Sequence, residues 1–434
     1  MGYTQAVIEQ QKIYLKLILQ DGYIHPSQDK VIAAFIYEFD TDQIAYYNFF
    51  HPDIIATSSW DEFKQSLVNK KIYVINKKRN KYQLPDLDLY DVNLFQFFKD
   101  GNIIESPQHV FTTHLHTTYY KINNTGLIIP FVIHQSEFDA EIDLIKGFGN
   151  NKTDTYCYKF FNSVVTDTLF EVERVGLHVD ANIFTQFFDT KVKKDKVFSE
   201  YNIYNPTGRP SNKFDSVNYV ALNKENGCRA SFISRYNNGK LLMVDFTGFH
   251  PYIVANLINY KVPDDETVYE HLAKQYYNVD SINKELLSKA KKLTMINLYG
   301  QISDQYIHIP YFENTERLKE KYWKSFTEKG HVKTPIYKRK ITTNHIAGPN
   351  KNKLFAYIIQ AAETEYGLNS LSSCLKYSVG KPITPILYIY DGILFDIADS
   401  VTQAEIDDLV NIIRNNRFKV KVYIGNSYND LQLV

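Results

Sequence analysis

Two carboxylates stand out because of the apolar runs that carry them. In Leu241–Leu257, LLMVDFTGFHPYIVANL, an apolar run from Leu241 to Val244 ends in Asp245. A Thr-Gly turn follows, and then Phe249, Ile253, Val254 and Leu257 recur at helical spacing. The pattern reads as a buried strand that delivers an acid to a turn, with a helix leading away. In Ile386–Ile397, ILYIYDGILFDI, Asp391 sits at an Asp-Gly hairpin turn between two apolar half-strands. A lone acid at a strand end is usually structural. Two on adjacent strands of one sheet could hold two divalent cations about 4 Å apart, as two-metal phosphoryl transfer requires. Between the two acids lies Asn283–Gly300, NKELLSKAKKLTMINLYG. On a helix Lys284, Ser288, Lys291 and Lys292 fall along one side, and Leu287, Met295 and Leu298 along another. Lys291 and Tyr299 are about two turns apart and share neighbouring parts of one face. A lysine and a ring so placed can serve a triphosphate and a stacked base. Taken without context they read as a solvated basic face.

The elements that must position these groups follow from periodicity. Residues 31–50 read as two strands joined by a turn at Asp40–Gln43, Trp60–Leu67 as a short helix, Lys71–Asn76 as a strand and Asp88–Phe98 as a helix. Tyr156–Val175 has helical spacing and stops at Gly176, and a second helix is expected over Ala181–Tyr201. Phe232–Phe246 reads as a hairpin turning at Asn237–Gly239. Residues 266–328 read as helices interrupted near Gly300 and Pro310. Leu354–Tyr377 and Thr402–Asn416 read as helices, and Phe418–Ile424 as a strand. At 434 residues and 44% hydrophobic content the chain is large enough for two or more domains with a sizeable core. Lys+Arg and Asp+Glu are both 49, so a nucleic-acid partner would need a local basic face rather than a basic whole. Cys157, Cys228 and Cys374 have no metal or redox spacing and read as reduced, buried thiols. MGYTQAVIEQQ carries no signal-peptide pattern, Gly2 does not continue into an acylation signal, and no run of about 18 apolar residues predicts a membrane span. The expected location is cytoplasmic, with no membrane partner. The weight of Lys, Asn, Ile and Tyr is that of an AT-rich genome.

In chain order, TGRPS (Thr207–Ser211), VDFTGFHPYIVANL, KKLTMINLYG and YIYDGILF resemble the family A DNA polymerases, the class of bacterial polymerase I. They match that family's D-Y-S-Q-I-E palm strand, its K-x7-Y-G fingers helix and its H-D-E palm hairpin. EVERVGLHVD (Glu171–Asp180), KGHVKTPIYKRK (Lys329–Lys340), IIQAAETE (Ile358–Glu365, similar to I-Q-G-x-A-A-D) and VYIGNSYNDL (Val422–Leu431) resemble supporting segments. The resemblance covers Tyr156 to the C-terminus. It implies an α+β / α/β multidomain fold: a right-hand polymerase with palm at 207–256 and 369–434, fingers at 257–368 and a shortened thumb at 156–206. Asp245, Asp391 and the backbone carbonyl of Phe246 would bind two Mg²⁺, with Mn²⁺ as a substitute. Lys291 would contact the triphosphate of a dNTP and act as an acid toward the leaving group. Tyr299 would stack near the templating position, with His250 and Met295 lining the nucleotide site. Thr207, Arg209, Arg229, Asn344, Gln360, Tyr390, Lys338, Arg339 and Lys340 would contact primer–template DNA. A trimmed, phage-like source is implied, with the host cytoplasm as its place.

Departures from the family pattern carry information. The Glu that ends the first palm motif and blocks a ribose 2′-hydroxyl is His250 here, and Tyr390 and Gly392 flank Asp391 where the family has His and Glu. Leu287 stands for the first fingers arginine, Met295 for an aromatic, and Ala356 for an Asn. Only Ala181–Pro206 is left for a thumb, about 40 Å at most as a helix, which implies low processivity or a processivity or replisome partner. Residues 1–155 resemble the family's 3′–5′ exonuclease domain, a ribonuclease H-like α/β unit. Its first acid pair would fall near Ile18 and Gln20 and its third acid near Asn80, leaving Asp154 as the surviving candidate. Two cations cannot be held without those acids, so an inactive domain is expected. Basic residues between Arg317 and Lys340, among them Lys319, Lys321 and Lys324, interleave with Tyr322, Trp323 and Phe326 and suit phosphate contacts. The alternative reading is a polymerase-derived nucleic-acid-binding module without catalysis; a two-metal nuclease would not need the Lys291–Tyr299 face.

Overall fold

The structure is a computed structural model that describes residues 10–20, 25–49, 59–104, 131–150 and 155–434. Asp154 lies outside the described residues. The chain divides into two compact units, Met1–Asn162 and Ser163–Val434.

The first unit is built on β1 (Lys12–Gln20), β2 (Lys30–Glu38), β3 (Gln43–Asn48), β4 (Lys71–Val74) and β5 (Leu89–Asp91), with order β3-β2-β1-β4-β5. The β1–β2 and β2–β3 pairs are antiparallel, β1–β4 and β4–β5 parallel. Strand alternation puts Ile13, Leu15 and Leu17 on one face of β1 and Tyr14, Lys16 and Ile18 on the other. Both faces are covered. Phe63 of α1 (Trp60–Ser66) packs on the first. On the second lie Phe138, Ile142 and Ile145 of the helix Phe131–Ile145. Periodicity did not point to β1, whose apolar run is interrupted by Lys16. Asp88–Phe98, expected as one helix, divides into β5 and the helix Val92–Asp100, because the Asp91 carboxylate accepts from Leu94 N at 3.1 Å and caps the helix there. The expected exonuclease acid positions are occupied otherwise. Ile18 is buried among apolar side chains, and the Asn80 amide donates to Ile75 O and Asn76 O. On the same face as Ile18, Lys16 Nζ lies 2.7 Å from Glu141 Oε1, and the Tyr14 hydroxyl donates to Glu141 Oε2 at 2.7 Å.

The second unit centres on an antiparallel sheet of β6 (Lys240–Phe246), β7 (Ile383–Ile389), β8 (Gly392–Ile397), β9 (Val420–Gly425) and β10 (Gln432–Leu433), in the order β7-β8-β6-β9-β10. Its helices include α2 (Phe249–Leu257), α3 (Val268–Tyr277), α4 (Lys284–Tyr299), α5 (Pro310–Lys329), α6 (Lys351–Tyr377) and α7 (Gln403–Arg414). Helix α6 is buried on nearly every side, as a helix without a single apolar stripe must be; it packs against α2, α4, α5, α7 and β7. Two expectations fail. Of Ala181–Tyr201 only Ala181–Phe184 is helical. Lys194 and Asp195 turn at positive φ, Lys196–Val197 pairs with Leu177–His178, and Tyr201–Asn202 pairs with Ser211–Phe214. The charged run between Phe188 and Val197 offers no apolar face to support a helix. Phe232–Phe246 is not one hairpin: Phe232 bridges Val179, Ile233 bridges Ser427, and only Lys240–Phe246 enters the sheet.

Candidate active site

The register of β6 sets Asp245 opposite Gly392 on β8 and Lys421 on β9. Asp391 precedes Gly392 in the β7–β8 turn, where Tyr390 takes a φ of +49°. Phe246 N donates to Asp391 O at 2.7 Å and Thr247 N to Lys419 O at 2.8 Å, so backbone bonds close the sheet end around both acids. Gly248 then turns at φ +63° into α2; a Cβ there would approach Val268 Cγ1 to 2.9 Å. Glycine at 392 leaves room as well: a Cβ would collide with Met243 Cε and lie 3.6 Å from Asp245 Oδ1. Asp245 is half-buried. Loss of solvent, and then the charge of Asp391, push its carboxyl from the ordinary 3.8 to about 7, with Lys421 opposing. The Asp391 carboxyl is also raised, by the protein packed around the turn and next by Glu363. Among the described residues no group of three or more His, Cys, Asp or Glu is arranged to hold a metal ion.

Beside the pair a second cluster joins four residues expected from the sequence to one that was missed. Glu363 of α6 is buried, and its Oε2 lies 2.9 Å from Arg209 Nε and its Oε1 2.9 Å from His250 Nε2. His250 Nδ1 meets the Tyr299 hydroxyl, and the Arg209 guanidinium stacks 3.7 Å from the Tyr390 ring centroid. Burial raises the Tyr299 hydroxyl pKa, and Glu363 adds to it. The signal for Glu363 was a carboxylate that follows two small residues, Ala361 and Ala362, on a helix otherwise suited to burial. The loop carrying Arg209 is built locally: Gly208 turns at φ +74°, Arg209 N donates to Thr207 Oγ1 at 3.3 Å, and Asn205 Nδ2 donates to Arg209 O at 2.9 Å.

On α4, Lys284, Ser288, Lys291 and Lys292 are exposed, while Met295 is half-buried and Leu298 buried, as the spacing required. Lys291 Nζ lies 5.8 Å from the centroid of Tyr269, whose hydroxyl contacts Met295 Sδ at 3.8 Å. The Tyr269 hydroxyl is raised by burial and then by the charge of Asp391. This tyrosine, which the sequence reading did not single out, therefore stands between the α4 face and the acids.

The remaining expected DNA contacts are dispersed. Lys338, Lys340 and Asn344 are exposed and Gln360 is half-buried. Arg229 donates through Nε and Nη2 to Leu222 O at 3.0 and 2.7 Å and stacks 4.6 Å from the Tyr428 ring centroid. Arg339 corrects its expected role. It is 1% exposed, with its charge beside buried Glu365, and cannot reach a duplex. Lys319 is also buried. Its ammonium donates to Gly300 O at 2.9 Å, Asn297 O at 3.3 Å and Asn352 Oδ1 at 3.3 Å, closing the C-terminus of α4. Tyr322, Trp323 and Phe326 pack on Val332, Ile341 and Leu354 as core rather than as a stacking surface.

Against known structures, the POL domain of Pol1 from M. smegmatis, solved in complex with DNA primer-template and dNTP, is similar over 97% of this chain and 96% of that chain, with a TM-score of 0.69 and 14% identity. The chain has the fold of a DNA polymerase domain. No protein-family model matches the sequence, and no curated protein does. At this identity the likeness lies in the path of the backbone, and the site residues rest on the geometry above. Among the described residues no helix is long and apolar enough to cross a membrane.

Proposed function

We propose that the chain is a template-directed DNA polymerase that adds dNTPs to a primer 3′-end and releases pyrophosphate. The observation that carries this reading is the Asp245–Asp391 pair, held at one end of an antiparallel sheet by the Phe246–Asp391 backbone bond. Two carboxylates and the Phe246 carbonyl make an all-oxygen donor set, which suits Mg²⁺ or Mn²⁺. Burial and then the charge of Asp391 raise Asp245, and a bound cation would oppose both. When bound, two such ions acidify a primer 3′-hydroxyl and neutralise a pyrophosphate leaving group. The protein's own part is to fix Asp245 and Asp391. Lys291, exposed on α4 beside the Tyr269 ring, would meet the triphosphate. His250, anchored by Glu363 and Tyr299, stands at the start of α2 as the side wall for the nucleotide's sugar.

In this reading residues 207–256 and 369–434 form the palm, 257–368 the fingers and 156–206 a thumb remnant. Helix Ala181–Phe184 and short strand pairs give that remnant little length with which to grip a duplex, which supports low processivity by the chain alone or a partner that supplies it. Residues 1–155 are an exonuclease-like unit in which the Lys16 ammonium lies against Glu141 on the face where a cation would be needed. Primer extension with Mg²⁺ and dNTPs tests the whole reading. Extension by wild type is expected, and none would favour a nucleic-acid-binding module.

A further inference from the structure

Glu363 brings together residues from four other segments. Its carboxylate meets the Arg209 guanidinium and the His250 imidazole, which in turn reach the Tyr390 ring and the Tyr299 hydroxyl. None of the sequence motifs supplies an acid here. With IIQAAETE set on I-Q-G-x-A-A-D by Gln360, Glu363 falls on an alanine. The first palm motif, meanwhile, has its Glu where this chain has His250. The carboxylate missing at 250 is thus provided at 363, from a different helix, in contact with the residue that replaced it.

We propose that Glu363 is a positioning residue for nucleotide selection, fixing the His250 ring as the wall against which the incoming sugar rests. The inference depends on the polymerase reading and deepens it. The imidazole is touched at both nitrogens, with Glu363 Oε1 2.9 Å from Nε2 and the Tyr299 hydroxyl at Nδ1, and the two contacts together fix the plane of the ring. The same carboxylate holds Arg209 flat on Tyr390, next to the Asp391 turn, so both flanks of the acid pair are set by one group. Without Glu363 the ring keeps only its Tyr299 contact, and the wall loses its fixed position against a 2′-hydroxyl.

The test uses the full chain on a primer–template ended with a dideoxynucleotide, so that nucleotide binding is read without chemistry. Affinities for a matched dNTP and the corresponding rNTP are measured by fluorescence titration. Single-turnover kcat and KM follow on an extendable primer. Glu363→Ala is expected to lower the dNTP/rNTP affinity ratio by about tenfold to a hundredfold, mainly by admitting the rNTP. Glu363→Gln, which keeps the size, should retain part of the ratio. His250→Glu/Glu363→Ala, which returns the acid to position 250, should recover it. A folded Glu363→Ala or Glu363→Gln protein with the wild-type ratio overturns the proposal, as does a double variant no more selective than Glu363→Ala. Should Glu363→Ala fail to fold, the Gln and double variants decide. A wild type that neither binds nor incorporates nucleotide defeats the polymerase reading itself. A wild type that extends while the ratio stays fixed in the variants defeats only the role given to Glu363.

Discussion

Phe246 N donates to Asp391 O at 2.7 Å. The bond ties the residue after one acid to the backbone of the other, so main chain rather than side chain holds the two carboxylates near each other. Their repulsion cannot relax by a rotation of the strands. Burial first, and the charge of Asp391 second, raise the Asp245 carboxyl from 3.8 to about 7.

The sign of the resulting pH dependence follows. Between about pH 4 and 7 the folded protein holds a proton on Asp245 that the unfolded chain has released. Asp245 therefore favours the fold at acid pH, and that contribution is lost as pH rises through about 7. In metal-free protein, the thermal midpoint of wild type should fall relative to Asp245→Asn as pH rises from about 5 to 8. Added Mg²⁺ should recover the difference at the upper end, because a cation takes the place of the proton. Melting curves of both proteins across that range, with and without Mg²⁺, check this; parallel curves would contradict it.

In the first unit the buried Lys16–Glu141 pair makes a different prediction. Removing one partner strands a buried charge at a cost of about 3–5 kcal/mol, whereas replacing both with apolar residues is close to neutral. Lys16→Met should lower stability by that amount, and Lys16→Met/Glu141→Leu should restore most of it in denaturant titrations. Neither protein, nor wild type, should degrade a 3′-end with Mg²⁺. Metal-dependent 3′–5′ degradation by wild type would contradict the inactive reading.

The basic run should separate into two behaviours. Lys319→Met leaves the carbonyls of Asn297 and Gly300 short of a donor and should cost about 1–3 kcal/mol in stability, without changing the salt dependence of DNA binding. Lys338→Ala and Lys340→Ala, at exposed positions, should leave stability within about 0.5 kcal/mol. Each should reduce the slope of log affinity against log salt by roughly 1. Equal slopes for all the variants would remove this face from the proposed interface.

What the sequence made legible was local and periodic. Asp245 and Asp391 were visible because apolar strand patterns end in them, and α4 because its basic and apolar residues separate at helical spacing. The mixed α/β polymerase fold followed from motifs in order. Three things needed coordinates. Glu363 acts on residues more than a hundred positions away, and no local pattern announces an ion pair of that span. Arg339 and Lys319 carry the composition of a phosphate-binding face, yet tertiary packing turned both inward. In Ala181–Tyr201 the apolar residues cluster at Phe184, Phe187 and Phe188 and are then cut off by charge, so one helical turn forms and hairpin pairing takes the rest.

The central claim is that Asp245 and Asp391 are the acids of nucleotide transfer. Primer extension with Mg²⁺ and dNTPs by wild type, Asp245→Ala and Asp391→Ala tests it most directly. Template-directed extension by wild type is expected, with a loss of roughly 10³-fold or more in each variant and primer–template binding retained. Extension that survives both substitutions would contradict it.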